Sequence, residues 1–491
     1  MKENLDNFYK EWNKNLSKLS EGYIYDENKK LFQTRHIFYY LKKIISKFLT
    51  NDIDDFEKII LLHGIRGVGK TTLLMQILKI EKFLNASNPL DAKILQNINK
   101  LDYRFYFDIS RLHFEQITLN EFFKFFEKIN DFNFINLDKK IILLLDKVHF
   151  DEKWSLYLKV LFDSIKGHKN LLIIATGSSA INLKISADLM RRSKMVEIFP
   201  MKFIEYLILK YNILPSENLS MDLKKILFNS KSAKSVFYSL KEIEHNVDKF
   251  FINLPYNCEE DFYKNGGFPF VAKLKNDNEI SERIKNVING VIIKDIINLK
   301  RFKTETVSKI NDLLYLLANT DIISYEKLLQ SLRIDNIRTL NALLDALIMS
   351  GMIFKVKTYG QSYGSTRKTP KYLFITPSLR NSILDGIFIS GIEGKKLEDY
   401  FGLIFENDLK NNIAYKLFYD IAEGGADFIL NLLDRSNIVI EMGFNKEETR
   451  QVEKTMKKVK NVRYGLVFGS KNLELVENSI VKIPLKFLLL V

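Results

Sequence analysis

"GIRGVGKTT", residues 64–72, has the spacing Gly-x-x-x-x-Gly-Lys-Ser/Thr and lies between an apolar run, "KIILLH" at 58–63, and a helical segment, "TTLLMQILKI" at 71–80. An apolar strand followed by a glycine-rich turn and a helix is the setting in which that spacing acts as a phosphate-binding loop. Gly64, Gly67 and Gly69 allow positive φ, so successive N–H groups can turn toward phosphate oxygens. Lys70 offers a positive charge to the β and γ phosphates, Thr71 a hydroxyl to magnesium, and the helix start a partial positive charge. The candidate nucleotide contacts are therefore Gly64, Gly67, Val68, Gly69, Lys70, Thr71 and Thr72, with ATP and Mg2+ as the expected ligands.

Downstream, short apolar runs alternate with helical lengths: "YRFYFD" at 103–108, "IILLLD" at 141–146, "LLIIAT" at 171–176 and "MVEIF" at 195–199. Runs of five or six such residues predict a parallel sheet covered on both faces. Asp146, at the end of its run, is the expected magnesium partner of Thr71 and a candidate catalytic residue. The next position commonly carries a glutamate that orients the attacking water, and here it is Lys147. A charged lysine takes no proton from water and sets a cation beside magnesium, so slow hydrolysis is expected. Asp151 and Glu152 can replace the missing carboxylate only if their turn folds back, and Lys147 can instead bind the phosphate itself. Ser178 in "ATGSS", with Thr176 as substitute, is a candidate γ-phosphate sensor, the alternative being an ordinary turn. Arg192, beside Arg191, is the candidate guanidinium for transition-state charge, the alternative being a solvated basic turn.

Composition frames these motifs. At 491 residues the chain exceeds one core, and a prior of about 150 residues per domain suggests roughly three. Hydrophobic residues at 46% exclude a disordered chain, and a single cysteine, Cys258, excludes an internal disulfide framework. Six scattered histidines form no zinc-spaced cluster, which leaves magnesium carried with nucleotide. The start resembles no signal peptide and no run of about 20 apolar residues follows, so a cytoplasmic location without membrane contact is expected. The net charge of +14, from 74 Lys and Arg against 60 Asp and Glu, is compatible with a polyanionic partner and equally with compositional bias.

The second half changes character. Residues 205–305 read as helices interrupted by a turn at Asn265, Gly266, Gly267 and Pro269. "SKINDLLYLLAN", "SYEKLLQSLR" and "NIRTLNALLDALIMSG" predict three amphipathic helices, and "MIFKVKTYG" and "PKYLFIT" a hairpin, together a winged helix. Its helix at 336–349 would offer Asn336, Arg338, Thr339 and Asn341 to a major groove, and Lys355, Lys357, Arg367, Lys368 and Lys371 in or beside its wing would meet DNA phosphates, the alternative being a protein contact. The last hundred residues predict a helix near "LEDYFGLIFENDLKNNI", then strands at "ADFILNLL", "NIVIEMGF", "RYGLVFG" and "SIVKIPL", a further α/β region.

In order, the phosphate loop, "LLLDKVHFDEKWSLYLKVLFD" at 143–163, "ATGSSAINL" at 175–183, "FPMKFIEYL" at 199–207 and "NGGFPFV" at 265–271 resemble an archaeal and bacterial family of AAA-type ATP-binding proteins. The resemblance extends from Arg35 to the C-terminus; Trp154 fits the family's helix after the acidic strand, and Gly266, Gly267 and Pro269 its Gly-Gly-x-Pro turn. It implies ATP binding and hydrolysis, and a nuclease-like C-terminal fold of uncharacterised function. Lys147 departs from the family's acidic pair. The C-terminal region resembles restriction-endonuclease-like folds, which implies a magnesium site at Glu406, Asp427 and Glu441. The lysine such a site requires belongs at Gly443; Lys446 lies at an odd offset that points away if the strand continues, so the site is read as degenerate.

The fold expected is α/β: a P-loop AAA-type parallel sheet domain followed by a helical lid, a winged helix and a small α/β nuclease-like domain. The boundaries are an N-terminal helical region at 1–55, the ATP-binding domain at 56–205, the lid at 206–305, the winged helix at 306–390 and the nuclease-like domain at 391–491. Three functional readings stand: a nucleotide-dependent switch with slow hydrolysis, a non-hydrolysing ATP-binding scaffold for protein partners, and a metal-dependent nuclease. Candidate partners are ATP, double-stranded DNA at the winged helix, and a second copy of the chain.

Overall fold

The computed structural model describes residues 2–177, 187–216, 218–296, 304–320, 322–360, 369–384 and 391–491. The chain divides into two compact units, Met1–Ile198 and Phe199–Val491.

The first unit is a parallel five-stranded sheet. Its strands are β1 (Ile59–His63), β2 (Tyr103–Asp108), β3 (Ile141–Asp146), β4 (Leu171–Thr176) and β5 (Lys194–Glu197), arranged β2-β3-β4-β1-β5. Every residue of β1, β3 and β4 is buried, which is why those runs are continuously apolar. The edge strands β2 and β5 keep partly exposed positions and a mixed composition. In register, Asp108 pairs with Asp146, Leu145 with Ala175, and Leu62 with Thr176, so four strands end at one level. Ligands of open parallel sheets bind at that carboxyl edge.

Two helices precede the sheet: α1 (Lys2–Ile24) and α2 (His36–Leu49). Trp12 of α1 donates its indole N–H to the Tyr106 carbonyl at 2.8 Å and stacks on that ring with 5.8 Å between centroids. Helix α3 (Lys70–Leu78) follows the glycine loop. The helix Leu119–Asn130 opens with a capping box between Thr118 and Glu121, and its Phe122 and Phe126 meet Phe107 edge-on.

The second unit joins a helical region to a mixed sheet. Helices Phe203–Tyr211, Leu219–Asn229, Ala233–Ile252, Cys258–Asn265 and Asp277–Gly290 come first. Gly267 sits at φ +98 against Thr376, where a Cβ would overlap the threonine hydroxyl. Helices Thr304–Asn319, Tyr325–Leu332 and Ile337–Met349 lead to the antiparallel strands β6 (Ile353–Thr358) and β7 (Lys371–Phe374). After the helices Pro377–Leu384 and Ile392–Ile404 come β8 (Ala414–Tyr419), β9 (Phe428–Leu432), β10 (Asn437–Met442), β11 (Val462–Phe468), β12 (Glu474–Val476) and β13 (Ile480–Ile483).

These eight strands form one sheet in the order β12-β13-β11-β10-β9-β8-β6-β7. The hairpin is thus continuous with the C-terminal strands through Lys357 beside Phe418 and Thr358 beside Tyr419. Arg380 and Asp399 are fully buried as an ion pair, with Nε 2.6 Å from Oδ2 and a second guanidinium nitrogen 2.8 Å from Oδ1. The pair links the Pro377–Leu384 helix, the Ile392–Ile404 helix and β7, since Asp399 also accepts the Phe374 amide at 2.8 Å.

Candidate nucleotide site

The loop after β1 has the backbone a phosphate cradle requires. Gly64, Gly67 and Gly69 take φ of +151, +84 and +90, and a Cβ at Gly64 would overlap the Ile198 carbonyl oxygen. That close approach is fixed by the Ile198 amide, which donates to the His63 carbonyl at 2.7 Å. Gly69 is the N-cap of α3, so the helix begins at Lys70 with its first amides directed at the loop. The Lys70 ammonium lies inside the loop, 2.7 Å from the Gly64 carbonyl oxygen and 2.8 Å from that of Ile65. Arg35 donates to the Val68 carbonyl at 2.8 Å and steadies the loop from the start of α2. Thr72 is half-buried on the first turn of α3.

Beside the loop, Thr71 donates its hydroxyl to Asp146 Oδ2 at 2.7 Å. Asp146 is buried and also accepts from the Tyr106 hydroxyl at 3.1 Å and from the Thr176 hydroxyl. Burial raises the Asp146 carboxyl above its usual range; the Thr176 and Thr71 hydroxyls oppose that, Asp108 adds to it and Lys147 counters it. A hydroxyl and a carboxylate in contact are two oxygen donors of the kind magnesium takes with phosphate oxygens and water. The residues present therefore fit a magnesium nucleotide, and Thr71 and Asp146 are the side chains that would hold the metal.

Lys147 is in the left-handed region at φ +57, its amide donating to Thr176 Oγ1 at 3.1 Å. Its ammonium is 2.7 Å from Asp108 Oδ2 and 3.5 Å from Ser110 Oγ. Burial alone would lower Lys147, but the hydrogen bond and charge of Asp108 outweigh it and hold the ammonium above its ordinary value. Lys147 thus forms an ion pair that joins the ends of β2 and β3. Asp108 uses its other oxygen to cap the helix Ile109–Phe114, accepting from the Ser110 amide at 3.0 Å and hydroxyl at 2.5 Å.

Asp151 does not fold back. Its Oδ2 accepts from the Leu119 amide and its Oδ1 from the Lys153 amide, each at 2.7 Å, while Glu152 is exposed. His149, in the turn that precedes them, is driven down to about 3 by burial, then by Arg66, Lys70 and Lys147, with Asp108 opposing. One imidazole thus senses both the loop cations and Asp108. Tyr23 of α1 is raised by burial and senses Lys147, Asp146 and Asp108, so the N-terminal helix crosses this end of the sheet.

Ser178 lies outside the described residues; Thr176, its proposed substitute, meets Asp146. Arg192 pairs with Asp163 at 3.1 Å and donates to the Asp188 carbonyl at 3.0 Å, engaging the helix Trp154–Ile165 instead of the loop. Asp108, Tyr106 and His149 are the neighbours that motif reading missed. Asp108 ends an apolar run just as Asp146 does, and that shared strand-end acid was the available signal.

The nuclease-like constellation differs from its expected form. Glu406 is bound to Lys410 at 2.6 Å within its own helical turn. Lys446 does not point away: β10 stops at Met442, Asn445 reverses the chain at φ +53, and Lys446 Nζ reaches 2.7 Å from Glu441 Oε1. The Asp427 amide donates to Glu441 Oε2 at 3.1 Å, and Asp427 Oδ2 accepts the Met442 amide at 2.9 Å. Burial and the Asp427 charge push Glu441 up to about 7 against the pull of Lys446. Lys371 is buried and paired with Glu398, which removes it from the lysines that could meet DNA phosphates.

Residues 56–207 match the family described as AAA domain, and residues 260–388 match the family described as Domain of unknown function (DUF8612). Among solved structures, the Aeropyrum pernix ORC1 protein in complex with DNA is 10% identical, covering 73% of this chain and 94% of that one at a TM-score of 0.31. AMPPCP-bound DnaA from Aquifex aeolicus is 18% identical, covering 64% and 89% at 0.25. Scores this low carry no functional argument. "Uncharacterized protein MJ1637" of Methanocaldococcus jannaschii is 34% identical over 474 residues, 95% of this chain and 90% of that protein. The chain therefore belongs to the family of that archaeal protein, and its first unit has the AAA-type P-loop fold.

Proposed function

We propose that the first unit binds ATP with magnesium at Gly64, Gly67, Val68, Gly69, Lys70, Thr71 and Thr72, and that the protein is a nucleotide-dependent switch with slow hydrolysis. The observation that carries this reading is the Thr71–Asp146 contact of 2.7 Å at the foot of a loop whose three glycines have positive φ. When bound, magnesium would offset charge between the β and γ phosphates. The chain's own residues would orient it: Tyr106 and Thr176 hold Asp146 in place, and Asp146 holds the Thr71 hydroxyl. Titration of an ATP analogue with and without magnesium tests this. Thr71→Val should lose most of the magnesium-dependent gain in affinity, roughly tenfold, the equivalent of about 1.4 kcal/mol. An unchanged magnesium response in that variant contradicts the reading.

DNA is the proposed macromolecular partner, engaged by residues 306–390 acting as a winged helix. Support comes from β6, where Lys355 and Lys357 are exposed beside buried Val356 and Thr358, and from exposed Arg338 and Asn341 on the helix Ile337–Met349. Asn336 caps that helix by accepting the Arg338 amide at 2.8 Å and is assigned no base contact. Replacing Lys355 and Lys357 by Gln should weaken duplex binding uniformly across sequences and reduce the salt slope by about 0.9 for each phosphate that is no longer neutralised. An unaltered slope would remove this strand from the interface. For residues 391–491 the proposed role is folding or partner binding; Lys446, 2.7 Å from Glu441, supplies the lysine that the sequence spacing lacked and keeps a metal-dependent nuclease as the second reading. Among the described residues no helix is long and apolar enough to cross a membrane.

A further inference from the structure

We propose that Asp108, at the end of β2, is the carboxylate that orients the attacking water on bound ATP, and that Lys147 restrains it through their ion pair. This rests on the reading of residues 64–72 as an ATP site.

The position after Asp146 ordinarily places an acceptor beside the γ-phosphate, and here it carries a cation. In the parallel register Asp108 stands opposite Asp146, one strand spacing of about 4.8 Å to the side and one residue short of position 147 along the strand. The carboxylate that Lys147 lacks is the one Lys147 holds, at 2.7 Å. Sequence position and charge have been exchanged between adjacent strand ends, leaving the same pair of groups at the same edge of the sheet. The charges of Lys70 and Asp108 both act on His149, in the turn that follows Lys147.

The ordinary role of Asp108 is that of a helix cap. That role occupies Oδ1, which accepts from Ser110. It leaves Oδ2 for Lys147, and a water donating to Oδ2 must displace or share that contact. Hydrolysis then proceeds as in-line displacement. The water oxygen forms a bond to the γ-phosphorus, the bond to the β,γ-bridging oxygen breaks, and ADP leaves with that electron pair. Asp108 orients the water, takes one proton as the water's O–H bond breaks, and returns that proton to an oxygen of the inorganic phosphate formed.

Asp108→Asn separates the two roles, because asparagine caps a helix as well as aspartate does but has lost the charge. Asp108→Ser, which also caps, guards against a folding artefact. Single-turnover hydrolysis and equilibrium ATP binding are measured on the full-length chain for the unmodified protein, Lys147→Gln, Asp108→Asn, Asp108→Ser and Lys147→Gln combined with Asp108→Asn. The expected result is slow turnover in the unmodified protein and faster turnover in Lys147→Gln. Both Asp108 variants and the double variant should turn over about 100-fold more slowly than their parents, with ATP affinity held within about twofold. Bound ATP with turnover indifferent to Asp108 overturns the proposal, as does bound ATP with no turnover in either the unmodified protein or Lys147→Gln. Absence of ATP binding in every protein overturns the nucleotide reading itself, so the two failures are distinct.

Discussion

Lys70→Ala is expected to remove most of the stabilisation that bound ATP would give the first unit. A ligand present at 100 times its dissociation constant stabilises a protein by about 2.7 kcal/mol, and a hundredfold loss of affinity cuts that to about 0.4 kcal/mol. Lys70 is the group whose loss does this. Its ammonium rests on the carbonyls of Gly64 and Ile65, inside the ring of amides that would surround the phosphates, where its charge acts at short range and away from bulk water. The substitution removes the loop's cation without opening a core cavity, so the nucleotide-free unfolding temperature should change little. Thermal unfolding with and without magnesium ATP separates the effects. A nucleotide-dependent rise in the unmodified protein that persists in Lys70→Ala would place ATP somewhere other than this loop.

Asp399→Ala will destabilise the second unit by about 3–5 kcal/mol, the cost of leaving a buried charge without its partner. Both side chains are fully buried, and Arg380 also donates to the Ala318 carbonyl at 2.8 Å and the Leu317 carbonyl at 3.3 Å. Those carbonyls satisfy one guanidinium nitrogen but supply no formal negative charge. The same substitution strips the Phe374 amide of its acceptor and so loosens β7. Combining it with Arg380→Met should recover much of the loss, because an apolar pair removes the unpaired charge. Urea unfolding of the three proteins measures this. A loss below about 1 kcal/mol in Asp399→Ala, the range of exposed pairs, would mean that water reaches the arginine.

The parts of the fold that sequence revealed are those written in local patterns. Strands β1, β3 and β4 are buried on both faces, so they read as unbroken apolar runs, and the glycine loop follows one of them at a fixed spacing. β8 escaped because Tyr415 and Lys416 interrupt its alternation with exposed positions, and β12 because three residues carry no period. The merger of the hairpin with the C-terminal strands was invisible for another reason: a strand's composition reports burial and not which neighbour buries it.

The site shows the same division. Thr71 and Asp146 were identifiable because each belongs to a motif with its own spacing. Asp108 was not, since its significance depends on β2 lying beside β3 and on Lys147 reaching across. Lys446 was misjudged by assuming that β10 continues; the strand ends, and the turn at Asn445 returns the ammonium to Glu441. Both residues owe their place to a long-range neighbour, and no local spacing encodes which neighbour that is.

Equilibrium titration of the unmodified chain with magnesium ATP tests the central claim most directly. One saturable site, weakened when magnesium is chelated, is the predicted result. The absence of saturable binding, or binding indifferent to magnesium, would contradict the assignment of residues 64–72, with Thr71 and Asp146, as a nucleotide site.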